Sequence, residues 1–243
     1  MTLLEVQDVS KSFAGLRALH SVSLQVERGS IVGLIGPNGA GKTTLFNVIA
    51  GVMKPDAGRV LFDGTDVTGW PPYRIARLGI GRTFQLMKPF DTLSVLDNVT
   101  VATLQRHRSR KEARRAATEV VERVGLGEWA DRKASVLSTA GYKRLELAKA
   151  LGLEPSLLLL DEVLAGLVPA ERARVVELLR EIRAEGVTML LVEHVMSAVM
   201  ALSDHVYVLH HGEMLASGTP EEVTKDPRVI EAYLGEEGHH AGA

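Results

Sequence analysis

The chain has 243 residues, 46% of them hydrophobic and 24% charged, with a formal net charge of −2 and no cysteine. A chain of this length buries about 70–75% of its unfolded surface in one large core, or in one core with an inserted subdomain. Its balanced charge argues against a nucleic-acid partner held by a basic surface, and the missing cysteines exclude disulfides, thiolate metal sites and cysteine nucleophiles.

Residues 6–10, 21–26, 31–35 and 59–62 alternate or run apolar over strand lengths, punctuated by Gly15, Gly29, Gly58 and Gly64, which predicts a β-rich first third. Glu5 and Asp8 bring charge too early for a secretory signal, and no run approaches the roughly 18 apolar residues of a membrane span. Residues 45–50 read as a helix. From 93 to 152 the spacing turns helical, with Ala113, Ala116, Ala117, Val120, Val121 and Val124 falling on one face, and an all-helical insert is the simplest account. Residues 157–160 form a fully apolar strand ending in Asp161-Glu162. A helix over about 170–185 and a strand over 188–192 follow, an alternation that predicts parallel strands covered on both faces. Residues 206–209 and 214–216 flank His210-His211-Gly212-Glu213 as a hairpin, 220–234 read as short terminal helices, and 235–243 as a mobile tail.

The stretch Gly36-Pro37-Asn38-Gly39-Ala40-Gly41-Lys42-Thr43-Thr44 lies between the 31–35 strand and the 45–50 helix. Glycines let successive backbone N–H groups converge on one point, and the helix behind them adds its positive end, so the loop is suited to a phosphate. Lys42 is placed to reach the β- and γ-phosphates and the Thr43 hydroxyl to bind Mg²⁺. Asp161, at the end of a buried strand, is the residue type that holds a Mg²⁺-bound water. Glu162 beside it suits a general base toward the attacking water, a role that contributes about 10²–10⁴-fold in rate.

With these residues in this order, the chain resembles the ATPase subunit of an ABC transporter over nearly its full length. The resemblance implies an α/β P-loop fold of the ABC type: a mixed or parallel sheet core, an N-terminal antiparallel β subdomain and an inserted helical subdomain. It implies one domain over 1–243, with a core at 1–90 and 155–243, an insert at about 91–154 and a tail at 235–243. ATP and Mg²⁺ are the implied cofactors. Gln85 in Thr83-Phe84-Gln85 falls where the family's glutamine contacts the metal or the attacking water, His194 in Leu191-Val192-Glu193-His194 where its histidine closes on the γ-phosphate, and Phe13 where an aromatic stacks on adenine. Leu137-Ser138-Thr139-Ala140-Gly141 matches the family signature, in which Ser138, as the N-cap of the next helix, and the residue at Ala140 face an ATP held by a second subunit. The implied partners are that second ATPase subunit, identical or a paralogue, integral membrane permeases and, indirectly, a solute-binding protein. The implied location is peripheral, on the cytoplasmic face of the membrane.

Several positions depart from the family pattern. Ala140 replaces the second signature glycine, which predicts a half-site weakened by a methyl group; Gly141-Tyr142 stand where glutamine or glutamate is usual, and Val163 follows Glu162 in place of proline. Ala165-Gly166-Leu167-Val168-Pro169, the ending Val229 to Gly235 and Arg82-Thr83-Phe84-Gln85 resemble the branched-chain amino-acid importers, and the lipopolysaccharide-export ATPase shares much of this. A soluble ABC factor of DNA repair or translation fits less well, since the stretch from Lys42 to Ser138 is too short for a coiled-coil insert and there is one cassette. A phosphate-loop kinase leaves Gln85, Ser138 and His194 unexplained. The basic run Arg106, Arg108, Arg110, Lys111, Arg114 and Arg115 reads as a solvated face or a contact for anionic lipid. Met87, Pro89, Phe90 and Val95 read as core or as a groove for a permease helix, and His239-His240 as part of the tail.

Overall fold

The computed structural model describes residues 1–84 and 89–240, the side chains of 234–240 excepted. In chain order its elements are β1 (Thr2–Phe13), β2 (Leu16–Glu27), β3 (Ile31–Ile35), α1 (Lys42–Ile49), β4 (Ala57–Phe62), β5 (Thr65–Asp66), α2 (Pro72–Leu78), β6 (Ile80–Arg82), α3 (Val95–Thr103), α4 (Arg110–Arg123), α5 (Thr139–Leu151), β7 (Leu157–Asp161), α6 (Pro169–Ala184), β8 (Thr188–Val192), α7 (Met196–Leu202), β9 (His205–His210), β10 (Glu213–Gly218), α8 (Pro220–Lys225) and α9 (Pro227–His240). They divide between two units, residues 1–75 with 188–243 and residues 76–187.

The first unit holds the antiparallel sheet β2-β1-β4-β5. Leu4 pairs with Val26 and Phe62, and Val6 with Leu24 and Val60, so these six side chains share one buried face. The sequence places the first two strands at 6–10 and 21–26, but each runs twelve residues. Their outer halves carry Lys11, Ser12 and Arg17, which break the apolar alternation while the backbone ladder continues to Phe13↔Leu16. Ala14 and Gly15, at φ 43° and 90°, close the hairpin in the two-residue form that both positive dihedrals favour.

In the same unit β3 pairs in parallel with β8 on one side and β9 on the other, and β10 adds to β9 as an antiparallel edge. All residues of β3 and β8 are buried, as expected for parallel strands covered on both faces. Helix α1 follows β3 and buries Leu45, Phe46 and Ile49 completely. Truncating one such side chain to alanine costs about 2–5 kcal/mol. The chain-terminal helix continues to His240, past Leu234 where the sequence reading stops it. Gly235 and Gly238 weaken a helix without forbidding it.

In the second unit β6 and β7 pair in parallel, Ile80↔Leu157 and Arg82↔Leu159, and Leu157 to Leu160 are fully buried. Ser94 caps α3, a Ser109–Glu112 capping box opens α4, Ser138 caps α5, and Pro169 begins α6. Thr103 Oγ1 donates to the Ala113 carbonyl at 2.7 Å and ties α3 to α4. Residues 93–152 are less regular than an all-helical insert: two 3-10 turns, Gly127–Trp129 and Ala134–Val136, and a bridge between Ser94 and Lys133 interrupt them. The basic run splits by residue. Arg106 donates to the carbonyls of Leu153, Arg77 and Ala76, and Arg114 pairs with Asp97 at 2.8 Å, so both hold the unit together.

Candidate nucleotide site

Leu34 of β3 and Val192 of β8 are register partners in parallel strands, so the chain leaves both strands at the same sheet edge. Two residues beyond each lie Gly36, which opens the phosphate loop, and His194, which is exposed. The loop's path depends on missing side chains. Gly36 sits at φ 146°, and a Cβ there would lie 2.0 Å from the Leu209 carbonyl oxygen. Gly41, at φ 106°, is the N-cap of α1, and a Cβ would lie 2.5 Å from the Ala18 carbonyl oxygen. The loop is held from outside by Gly212, whose N–H donates to the Ala40 carbonyl at 3.0 Å.

Lys42 is 6% exposed, and its ammonium donates to the carbonyls of Gly36 at 2.7 Å and Pro37 at 2.8 Å. A buried cation is thereby fixed across the mouth of the loop. Asn38, Gly39 and Thr43 are exposed, Gly36, Pro37 and Ala40 are buried, and Gly41 and Thr44 are half-buried. The glycine cap of α1 offers no side chain to the amides of the first turn, the N–H groups that a helix start directs outward. Converging backbone donors, a fixed ammonium and a hydroxyl on the exposed Thr43 are the donor set that a Mg²⁺-complexed polyphosphate requires. In the same unit Phe13 ends β1 with 41% of its surface exposed, and the Lys11 ammonium lies 5.8 Å from its ring centre.

The second unit carries the carboxylates. Asp161 ends β7, 3% exposed, and its backbone N–H donates to Thr83 Oγ1 at 3.0 Å. Thr83 follows β6 and extends the ladder by donating its own N–H to the Leu159 carbonyl at 3.0 Å. The Arg82 guanidinium lies 3.4 Å from Asp161 Oδ2. Burial pulls Arg82 below its ordinary pKa while Asp161 acts in the opposite direction; an arginine keeps its charge through such a shift. Glu162 is half-buried with a left-handed φ of 52°, and its carbonyl accepts from the Lys143 ammonium at 2.6 Å. Thr83, Phe84, Lys143, Glu146, Asp161 and Glu162 line a cavity of about 40 Å³. Gln85 and Met87 lie outside the described residues.

Ser138 Oγ accepts from the Gly141 N–H at 3.2 Å, so the hydroxyl caps α5 as its spacing implies, and the residue is exposed. Ala140 is 7% exposed and lines a separate cavity with Arg123, Arg144, Leu167, Glu171 and Val175. Its methyl is therefore largely covered within its own unit. Three residues that sequence reasoning left without a role emerge here: Arg82, Lys143 and Asn98. Asn98 is 1% exposed, exchanges hydrogen bonds with the backbone of Phe90 at 2.8 and 3.1 Å, and donates to the Ser94 carbonyl at 2.9 Å, fixing the segment that enters α3. The available signal was a lone amide among Val95, Leu96 and Val99.

A buried strand, a glycine loop, a lysine and a helix in this arrangement define a P-loop nucleotide-binding protein of the α/β class. The family described as ABC transporter matches residues 19–165, and that described as branched-chain amino acid ATP-binding cassette transporter matches residues 213–239. The chain is 41% identical over 251 residues to the high-affinity branched-chain amino acid transport ATP-binding protein BraF of Pseudomonas aeruginosa, covering 96% of this chain and 98% of that one. It is 38% identical over 247 residues to the probable branched-chain amino acid transport ATP-binding protein LivG of Archaeoglobus fulgidus, covering 97% and 96%. Among solved structures, an ATP-binding cassette of an ABC transporter in its ADP conformation aligns with a TM-score of 0.88 at 33% identity, over 97% of this chain and 99% of that one. A dimeric cassette in a post-hydrolysis state, bound to ADP and Pi, aligns with a TM-score of 0.83 at 25% identity, over 90% and 99%. The chain belongs to the ABC transporter family, as an ATPase cassette that binds and hydrolyses nucleotide.

Proposed function

We propose that this chain energises a membrane transporter for branched-chain amino acids by binding and hydrolysing MgATP. The observation that carries the nucleotide part is the phosphate loop, with Lys42 fixed on the Gly36 and Pro37 carbonyls and a bare glycine cap opening α1. The names of the relatives supply the cargo and favour it over the lipopolysaccharide-export alternative. Among the described residues no helix is long and apolar enough to cross a membrane, so in this reading passage of the cargo belongs to permease subunits. The chain then sits on their cytoplasmic face, and a solute-binding protein delivers the cargo for import.

In this reading residues 36–44 hold the phosphates, Phe13 stacks on adenine, and Thr43, Asp161 and Gln85 hold Mg²⁺, whose chemistry is to neutralise charge on the transferring phosphoryl group. Glu162 takes the proton of the attacking water, and His194 reports on the γ-phosphate. The cassette works as one domain, with a core at 1–90 and 155–243 and a helical part at about 91–154. Two cassettes, identical or paralogous, close head to tail so that Ser138 of each faces the other's ATP; the dimeric state of the post-hydrolysis relative supports the pairing of two cassettes. To move a permease from 1:99 to 99:1 between two states, the nucleotide must favour one by about 5.5 kcal/mol. Two ATPs that each touch both subunits meet that demand better than one bound equally well in either state.

The test is reconstitution of the chain with its permeases in vesicles. ATP-dependent accumulation of labelled leucine, lost in Lys42→Ala, is the expected result. Transport of leucine that survives the substitution, or a complex that hydrolyses ATP but moves no branched-chain amino acid, contradicts the proposal.

A further inference from the structure

We infer that Lys143 is a positioning residue for hydrolysis, fixing the backbone from which Glu162 projects and tying it to the helix that carries Ser138. The inference rests on the reading of Glu162 as the base. Glu162 is a non-glycine residue at φ 52°, a conformation that persists only where its surroundings hold it. Two anchors flank it. Upstream, the Asp161 N–H is bonded to Thr83 Oγ1 at 3.0 Å. Downstream, the Glu162 carbonyl accepts from Lys143 Nζ at 2.6 Å and from the Ala165 N–H at 3.3 Å.

The Lys143 bond is charge-assisted and half-buried, so it is stronger than an exchange with water. It constrains the peptide plane after Glu162, which is the rotation about ψ. With φ held as well, the direction of the Cα–Cβ bond, and hence the region the carboxylate can sample, is determined. The next residue, Val163, is buried at 6% exposure.

Lys143 projects from the early part of α5, the helix whose N-cap is Ser138. A helix is rigid over so short a stretch, so a displacement of the Ser138 end is transmitted to the ammonium that holds Glu162. If the two cassettes close head to tail, Ser138 serves one ATP and Glu162 the other. Lys143 then lets occupancy of one half-site bear on the base of the other.

The experiment compares wild type, Lys143→Met, Lys143→Arg and Glu162→Gln in the full chain assembled with its permeases, measuring kcat and KM for ATP, equilibrium binding of a fluorescent ATP analogue, and thermal unfolding. Methionine keeps the aliphatic stem and removes the donor, whereas arginine keeps a donor. The expected result is a kcat about 10–100-fold lower in Lys143→Met, the loss that follows a displaced catalytic group, with KM and nucleotide affinity within about twofold and recovery to within about threefold in Lys143→Arg. Should Lys143→Met not fold, Lys143→Gln, polar but too short to reach the carbonyl, is read by the same criteria. Lys143→Met, or Lys143→Gln in its place, with kcat within about twofold of wild type, beside a silent Glu162→Gln, overturns the inference and leaves the reading of Glu162 standing. So does an arginine variant as slow as the methionine one. A Glu162→Gln protein that hydrolyses normally overturns that reading and the inference with it.

Discussion

Gly36→Ala separates the steric demand of the phosphate loop from simple backbone strain. At φ 146° an added Cβ lies 2.0 Å from the Leu209 carbonyl oxygen and 3.0 Å from its carbon. That oxygen belongs to β9, which is paired with β3 and β10, so the strand cannot give way. The loop must retreat by about 1.5 Å to reach an ordinary contact, and a displacement of about 1 Å at a positioning group already costs roughly 10²-fold in rate. Strain at such a dihedral adds about 1–3 kcal/mol, which for a chain of this size lowers Tm by about 3–10 °C. Gly39→Ala is the control: at φ 77°, with no atom within 4 Å of the new Cβ, it carries strain alone, about 1–2 kcal/mol. Thermal unfolding and steady-state hydrolysis of both variants decide. If Gly36→Ala is as stable as Gly39→Ala and hydrolyses ATP within about threefold of wild type, the loop is not held as described.

Three further outcomes are expected. Lys42→Ala abolishes binding of a fluorescent ATP analogue in an equilibrium titration, because the ammonium fixed on Gly36 and Pro37 is lost. Asn98→Ala removes three part-buried hydrogen bonds, leaves the Phe90 N–H without its partner while the Phe90 and Ser94 carbonyls keep the Leu93 and residue-98 N–H groups, and lowers stability in urea by about 1–2 kcal/mol; a change under about 0.5 kcal/mol means the segment closes without it. For Ala140→Gly, a weakened half-site predicts faster turnover, but the covered methyl predicts turnover within about twofold and a loss of about 0.5–1 kcal/mol from a glycine inside α5. A severalfold gain in kcat restores the first expectation.

What the sequence made legible follows from where local chemistry decides structure. The phosphate loop was readable because glycine positions, lysine and the flanking apolar strand all carry the same message, and Ser138 because N-caps have a short local signature. The fully buried β3, β7 and β8 announced themselves as continuous apolar runs. The short strand β6 did not, since Gly81 and Arg82 have no strand-like pattern and pair only because β7 lies beside them. The ends of β1 and β2 were hidden in the same way by polar side chains on a ladder that needs only backbone. Lys143 and Arg82 act through partners 19 and 79 residues away, and no local spacing reports such pairs.

The central claim is that ATP is clasped by two cassettes, neither of which completes the pocket alone, and that Glu162 then drives hydrolysis. Sedimentation velocity of Glu162→Gln with saturating MgATP, alone and with the permease subunits, tests it most directly. The account predicts a shift from monomer to an ATP-dependent dimer that persists because turnover is blocked, and that is absent in Lys42→Ala. A Glu162→Gln protein that stays monomeric under both conditions, or that forms the same dimer without nucleotide, contradicts it.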